Sequence, residues 1–591
     1  MPGVNCLICP TEISAKAKPP VLLLAQERQK LFPHFSTNTS LPGPHALCYT
    51  ETHQNYGINF LKQGDWEIWL EYQNESPIDQ NIWQLLLNFE GEAPPKLDLK
   101  KLWEQHLGSI PASFFVVALN NAKKLCVFAN DALARLPVYL FHDEEMLILA
   151  RDLGFLKAIR SELQPDPLYL SLYTAFAYIP GHGSFYREVD TLQGATLGVY
   201  NWELKQLQSS AIPELRFPQT HRKGTRKLRL EQLAAAFETA LIRQSGDKKV
   251  LCSLSGGYDS RAIAAALSRQ NMPFTAITYR DRDKTADEDL KVSQQLARLL
   301  KQEHQVLELT AASASDIARL YSLKQGLNYF GVTFLIEYLE HVSQAHPYPS
   351  VFFTGDGGDK VMPCLLPERK LHTDSELLVY LLGKNCIFSL AEACMCFDLP
   401  LSQARDYLLE VLNSYGSISR NEQYKRFMLS ERAGRWLFEG EDRNRAYVHT
   451  ESPFYDLDFY RMALQIPDNW KQGKQFYAQL IRYLHPQLAK INIAGSKETP
   501  YMLSSQFLAW SLQTYRKLRY EYLSKAPSSP VTLFPGHAQI AQRILNYRGN
   551  SCVQSVLNKP ERMLNPDYLN SLSRSQIYTL YTVLAVISDE I

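Results

Sequence analysis

The sequence predicts an α/β protein in two parts: a layered α+β unit, then a doubly wound parallel sheet that ends in a helical C-terminal part. Three observations predict it. Residues 45 to 205 carry the period-two alternation of half-buried strands. Strand and helix patterns then take turns from 250 to 354, and after about 370 the strand signal fades into helical periodicity. At 591 residues the chain is too long for one hydrophobic core, so two or three domains are expected.

The first part covers 1–215. Trp66 to Tyr72, Ala112 to Leu119, Lys124 to Ala129 and Val138 to Phe141 read as strands of a layered or sandwich domain, with a short helix at Leu97 to Gln105. A basic, proline-containing connector, Arg216 to Lys227, leads into an amphipathic helix at Leu228 to Arg243 and opens the second part, 216–510. Its strands, 250–254, 274–279, 305–309 and 350–354, alternate with helices 261–270, 286–300 and 313–323. Asp374 to Leu382, Ser402 to Leu412, Gln423 to Phe438 and Ser573 to Ile587 read as helices. Residues 511–591 form a helical extension, with Ser524 to Pro535 its most linker-like piece.

Composition narrows the function classes. With 62 basic and 61 acidic residues the net charge is +1, so no polyanion-binding surface or polybasic membrane anchor is expected. No apolar run has the length of a transmembrane helix, and the N-terminus lacks the charged-then-apolar pattern of a signal peptide. Ten scattered cysteines fit reduced thiols of a cytoplasmic protein. Cys6 and Cys9 make one CxxC without a second pair at zinc spacing. Neither nucleic acid nor a membrane is an expected partner.

Val250 to Arg261 is the most informative segment. An apolar strand breaks at Ser255-Gly256-Gly257 and a helix begins by Arg261. Such a turn presents backbone N–H groups and a helix N-terminus to phosphate. Ser255 and Ser260 add hydroxyl donors, and two glycines let the main chain approach an anion. Asp259 repels phosphate on its own, so its expected role is to hold a divalent cation. The spacing is neither GxxxxGK[ST] nor GxGxxG. A second strand-to-glycine turn, Val351 to Lys360, carries Asp356 and Asp359. Taken alone it reads as an acidic surface turn. Beside the first loop it would share one carboxyl edge of a parallel sheet, where open α/β folds bind ligands.

Ser255 to Ser260 resembles the SGGxDS pyrophosphate loop of the ATP pyrophosphatase superfamily. The two loops in this order resemble the synthetase domain of the asparagine synthetase family. The resemblance implies ATP and Mg²⁺ as cofactors. Nucleotide contacts would come from Ser253, Leu254, Ser255, Gly256, Gly257, Asp259, Ser260, Thr278, Gly355 and Gly357, and metal contacts from Asp259, Asp356 and Asp359. Glu431 to Trp436, Ser452 to Asp456 and Ala463 to Pro467 continue the resemblance. Ala494 to Glu498 falls where the family places a lysine at the acyl-adenylate, which makes Lys497 the catalytic candidate; a solvated surface lysine is the competing reading. Lys360 departs from the glutamate often seen there.

Asn130 to Tyr139 with Met146 to Leu153, then Tyr178 to Gly181 with Val189 to Leu197, resemble the family's N-terminal class-II glutamine-amidotransferase domain. Its nucleophile in glutamine-hydrolysing members is a cysteine directly after the initiator Met. Here Pro2 stands at that place, Cys6 lies several residues in, and the glutamine-gripping arginine and Asn-Gly loop find no clear counterpart. A degenerate amidase scaffold without glutaminase activity is expected.

The resemblance therefore implies a ligase that adenylates a small-molecule or peptide carboxylate, releases pyrophosphate and passes the acyl group to an amine or ammonia. The β-lactam synthetases and lasso-peptide macrolactam cyclases are such members. Asparagine synthetase proper, another pyrophosphatase branch and an inactive nucleotide-binding homologue stay open. So do a homodimer and the proton acceptor, for which Tyr329, Glu337 and Glu431 are candidates.

Overall fold

The structure, a computed structural model, describes residues 1–13, 18–72, 78–89, 97–218, 224–281, 286–505 and 537–591. The linker-like Ser524 to Pro535 and part of the 216–227 connector lie outside them.

Period-two patterning builds the first part as two six-stranded antiparallel sheets, one running outward from Gly3–Ile8 and one centred on Leu125–Asn130 and Phe114–Asn120. Alternate side chains sort to opposite faces. Phe115, Val117 and Leu119 meet Val4, Cys6 and Ile8 between the sheets. Phe114, Val116 and Ala118 cluster with helices Ile78–Leu87 and Leu99–His106, and Leu7, Leu47 and Tyr49 cluster with Leu153–Ile159. The result is a helix–sheet–sheet–helix sandwich. Gly3–Ile8, which has no alternation to read, is buried along its whole length. A strand covered on both faces keeps apolar residues at both phases, so periodicity alone misses it.

In the second part five strands pair in parallel in the order Glu303–Leu309, Thr275–Asp281, Lys249–Ser253, Ser350–Phe353, Thr450–Glu451. Val250 and Cys252 share a core with helices Arg226–Ser245, Asp259–Arg269 and Asp287–Leu300. Leu251, Ile277 and Phe352 share another with Ala314–Lys324 and Phe334–Ala345. Helices thus cover both faces, and the sheet is doubly wound as expected. The chain walks outward from Lys249–Ser253 to Glu303–Leu309, then returns to the opposite side at Ser350–Phe353. The two-residue strand Thr450–Glu451 is too short to leave a pattern in the sequence.

Beyond the sheet the chain is helical. What reads as one helix from Gln423 to Phe438 is an α-helix, Arg420–Phe427, followed by a π-helix, Met428–Leu437. The terminal helix Arg574–Ser588 is buried with Phe185 of the first part and Leu320 and Phe330 of the second, so it is a piece of the core rather than an appendage. No single helix among the described residues is long and apolar enough to cross a membrane.

The two parts meet in a buried ionic lattice on helix Phe438–Arg445. Arg151 lies 2.7 Å from Glu71 and 2.5 Å from Asp442. Arg135 lies 3.0 Å from Glu441 and 3.3 Å from Glu451. Lys324 lies 2.5 Å from Glu439 and 2.7 Å from Asp442, and Tyr139 donates to Glu439 at 2.7 Å. Removing one member strands a charge away from water. Arg151→Met is therefore expected to lower stability by about 3–5 kcal/mol. Lys62→Met, at the exposed pair with Glu67, should change it by less than about 1 kcal/mol. Urea denaturation compares the two, and equal effects would contradict the lattice's role.

Candidate functional site

Strand register fixes the site. Lys249 to Cys252 pair with Ser350 to Phe353, so the turns that follow, 254–258 and 354–357, leave the sheet side by side. This is the point where the strand order reverses, the crevice in which open parallel sheets bind ligands. A cavity of about 420 Å³ opens there. Ser253, Ser255, Gly257, Asp259 and Ser260 line one side, and Thr354, Gly355, Asp356 and Asp359 line another. A cavity of about 500 Å³ between Lys18–Leu31, Leu153–Ile159 and Ala314–Lys324 touches neither loop, so strand ends single out the site and volume does not.

The loops touch. A Cβ on Gly358 would lie 2.4 Å from Asp259 Oδ1, and one on Gly355 would lie 2.8 Å from Asp259 Cβ. Only glycine admits that approach. Gly357 sits in the left-handed region at φ 90° with the Tyr455 ring against it.

Within the first loop the amides are divided. Ser255 N–H donates to Ser260 Oγ at 3.0 Å, and Gly256 N–H to Asp289 at 2.8 Å. Gly256 is packed under Ala494, whose Cβ would lie 2.4 Å from a Cβ added there. Of the two glycines expected to let the main chain approach an anion, only Gly257 lines the cavity, and its N–H donates to Ser255 Oγ at 3.3 Å. Helix Asp259–Arg269 starts without a side-chain cap, and its first turn faces the cavity through Asp259 and Ser260. Uncapped first-turn amides suit an anion.

Three carboxylates share this space. Burial pushes Asp259 up to about 7; Asp359 adds to the rise, and the Tyr477 hydroxyl, donating at 2.7 Å, opposes it. Burial, then Glu441, pushes Asp356 up to about 6 against the Thr354 hydroxyl at 2.8 Å. Asp359 is exposed and paired with Lys360. Among the described residues no three His, Cys, Asp or Glu side chains form a ready cage for a metal ion. A Mg²⁺ site needs few protein ligands when phosphates and water complete it, and Asp259, Asp356 and Asp359 are the carboxylates that line this cavity.

The other expected residues are placed as follows. Leu254 and Thr278 bond each other, Thr278 Oγ1 donating to the Leu254 carbonyl at 2.6 Å, and neither lines the cavity. Lys497 is exposed. Lys474, in a stretch that continues the family resemblance, lies 5.0 Å from the Tyr258 ring centroid and its charge reaches Asp259. Arg443 and Asn444 line the cavity from helix Phe438–Arg445. Nothing in the spacing of their charged run, Glu441 to Arg445, signals burial.

A family model described as asparagine synthase matches residues 232–548, more than half of the chain. The chain belongs to the asparagine synthase family. Membership makes it an ATP-dependent ligase of the amide- or C–N-forming kind. A search of curated proteins finds no match. Among solved structures, NMN synthetase from Francisella tularensis is 14% identical over 36% of this chain and 96% of its own, with a TM-score of 0.20. The allosteric regulatory enzyme of purine biosynthesis is 9% identical over 52% and 81%, at 0.23. Glutamine phosphoribosylpyrophosphate amidotransferase from B. subtilis, complexed with ADP and GMP, is 9% identical over 66% and 92%, at 0.22. Scores this low carry no argument, and the strand order stands on its own.

The charge crowding in this cavity has a pH signature. Asp259 rises from 3.8 to about 7 on folding, so the native chain binds more protons than the unfolded one across that window. Its contribution is most favourable below about pH 4 and is lost as pH climbs through 7. Asp259→Asn should therefore stabilise the nucleotide-free protein at pH 8, by on the order of 1–3 kcal/mol, and much less at pH 5. Urea midpoints at the two pH values test this, and a larger gain at pH 5 would contradict it.

Proposed function

We propose that the protein joins a carboxylate to the α-phosphate of ATP, releases pyrophosphate, and passes the acyl group to an amine or ammonia without hydrolysing glutamine. One observation carries this reading: two strand-end loops, one with an uncapped helix N-terminus and one acidic, share a cavity at the switch point of a parallel sheet.

In this reading the diphosphate rests on Gly257 and the first turn of helix Asp259–Arg269, with the Ser255 and Ser260 hydroxyls in reach. Such preformed donors stabilise charge as it develops on the departing group. Mg²⁺ on Asp259, Asp356 and Asp359, when bound, would screen the carboxylates and the phosphates from one another. The charges of Lys474 and Lys360 both oppose the rise of Asp259 and so add positive potential beside it. Lys497 remains a candidate if its loop moves inward. Leu335, Tyr338, Leu339, Phe352 and Leu437 give the cavity an apolar wall that suits an adenine ring or an apolar acyl chain.

The nitrogen is proposed to come from an amine or free ammonia. Cys6 is fully buried between the two sheets, 3.4 Å from Cys48 Sγ, where a thiol has no route to glutamine, and Pro2 offers no thiol.

ATP–pyrophosphate exchange across a panel of carboxylates tests the proposal. Exchange is expected with at least one carboxylate, AMP is the expected nucleotide product, and Asp259→Ala should lower the rate by about a hundredfold or more while the protein stays folded. Formation of ADP would overturn the reading. Glutamate release from glutamine, expected to be absent, would overturn its nitrogen-source half.

A further inference from the structure

Arg443 stands apart from the other charges of its helix. It is 5% exposed and is the one arginine or lysine among the residues lining the cavity. Its guanidinium donates to the carboxamide oxygens of Asn328 at 3.3 Å and Asn444 at 2.8 Å. Among the described residues it forms no ion pair with a carboxylate, whereas Arg135, Arg151 and Arg445 around it all do. Glu439, Glu441 and Asp442 are taken by Lys324, Arg135 and Arg151.

An arginine buried on two neutral amides is short of a counter-charge. Burial lowers its pKa to about 10, with Asp356 the first influence opposing that fall, so it is charged at neutral pH. Its planar fork suits phosphate and carboxylate oxygens. Asn328 and Asn444 fix the fork without neutralising it, and the arginines and tyrosine of the first part hold the helix beneath it. If the diphosphate lies on the first loop, the oxyanion next along the nucleotide is the one left for this group.

We propose that Arg443 binds the α-phosphate oxygens of the nucleotide, the group that stays in the cavity as AMP or acyl-adenylate once the diphosphate has left. This rests on the adenylating reading above.

Titration calorimetry with AMP, adenosine and Mg²⁺–pyrophosphate on the full-length wild type, Arg443→Gln and Arg443→Lys tests it. Arg443→Gln is expected to weaken AMP by about tenfold or more, with adenosine and Mg²⁺–pyrophosphate each within about twofold of wild type. Arg443→Lys, which keeps the charge without the fork, should fall between and guards against a folding defect. Unchanged AMP affinity in Arg443→Gln would overturn the assignment. Equal losses of AMP and adenosine would place the damage in the pocket's shape, and a loss of Mg²⁺–pyrophosphate as large as that of AMP would make Arg443 only a counter-charge to Asp356. Either result overturns it. A wild-type protein that binds none of the three would instead sink the adenylating reading itself.

Discussion

The parallel pairing of Lys249–Ser253 with Ser350–Phe353 is the constraint from which the rest follows. It brings two loops, nearly a hundred residues apart in the chain, out of the sheet at one edge and in contact. Contact on that scale leaves no room for a Cβ: Gly355 and Gly358 lie against Asp259, and Gly357 against Tyr455. Gly355 and Gly358 thus serve the meeting of the two loops, Gly357 the seat of the Tyr455 ring, and Gly256 of the first loop the seat of Ala494. Gly257 lines the cavity, with its N–H on Ser255 Oγ.

That meeting concentrates negative charge. Asp259 and Asp356 are both held above the ordinary carboxylate range by burial, each next to another acid. A site so arranged is less stable empty than filled, because a cation or a matched ligand relieves both burial and repulsion. Tyr477 and Thr354 each donate a hydroxyl to one aspartate, which orients the carboxylates without discharging them. The positive side of the cavity comes from elsewhere, on a helix whose own carboxylates are all engaged by the first part, Glu441 by Arg135, Asp442 by Arg151 and Glu439 by the Tyr139 hydroxyl.

The same boundary gives the first part a structural task. Arg135, Tyr139 and Arg151 reach from its sheets and loops into Phe438–Arg445, and the terminal helix Arg574–Ser588 closes over both parts. Buried pairs of this kind add little net stability over an apolar core, but breaking one is costly, so they hold register. The sandwich, with Cys6 sealed between its sheets, thus supports the helix that borders the cavity.

The sequence by itself determined the strand-and-turn logic. Apolar runs ending in Ser255-Gly256-Gly257 and Thr354-Gly355-Asp356 read together as strands feeding glycine turns, and the β-α alternation between them pointed to a parallel sheet. Tertiary structure alone decided what those signals do not encode. Gly3–Ile8 is a central strand, and one covered on both faces has no polar phase to display along the chain. Arg443 entered the cavity because partners hundreds of residues away in the chain pair with the carboxylates beside it. Local pattern reports which face of an element is apolar; which charges lie beneath another domain depends on long-range packing, and no window along the chain contains it.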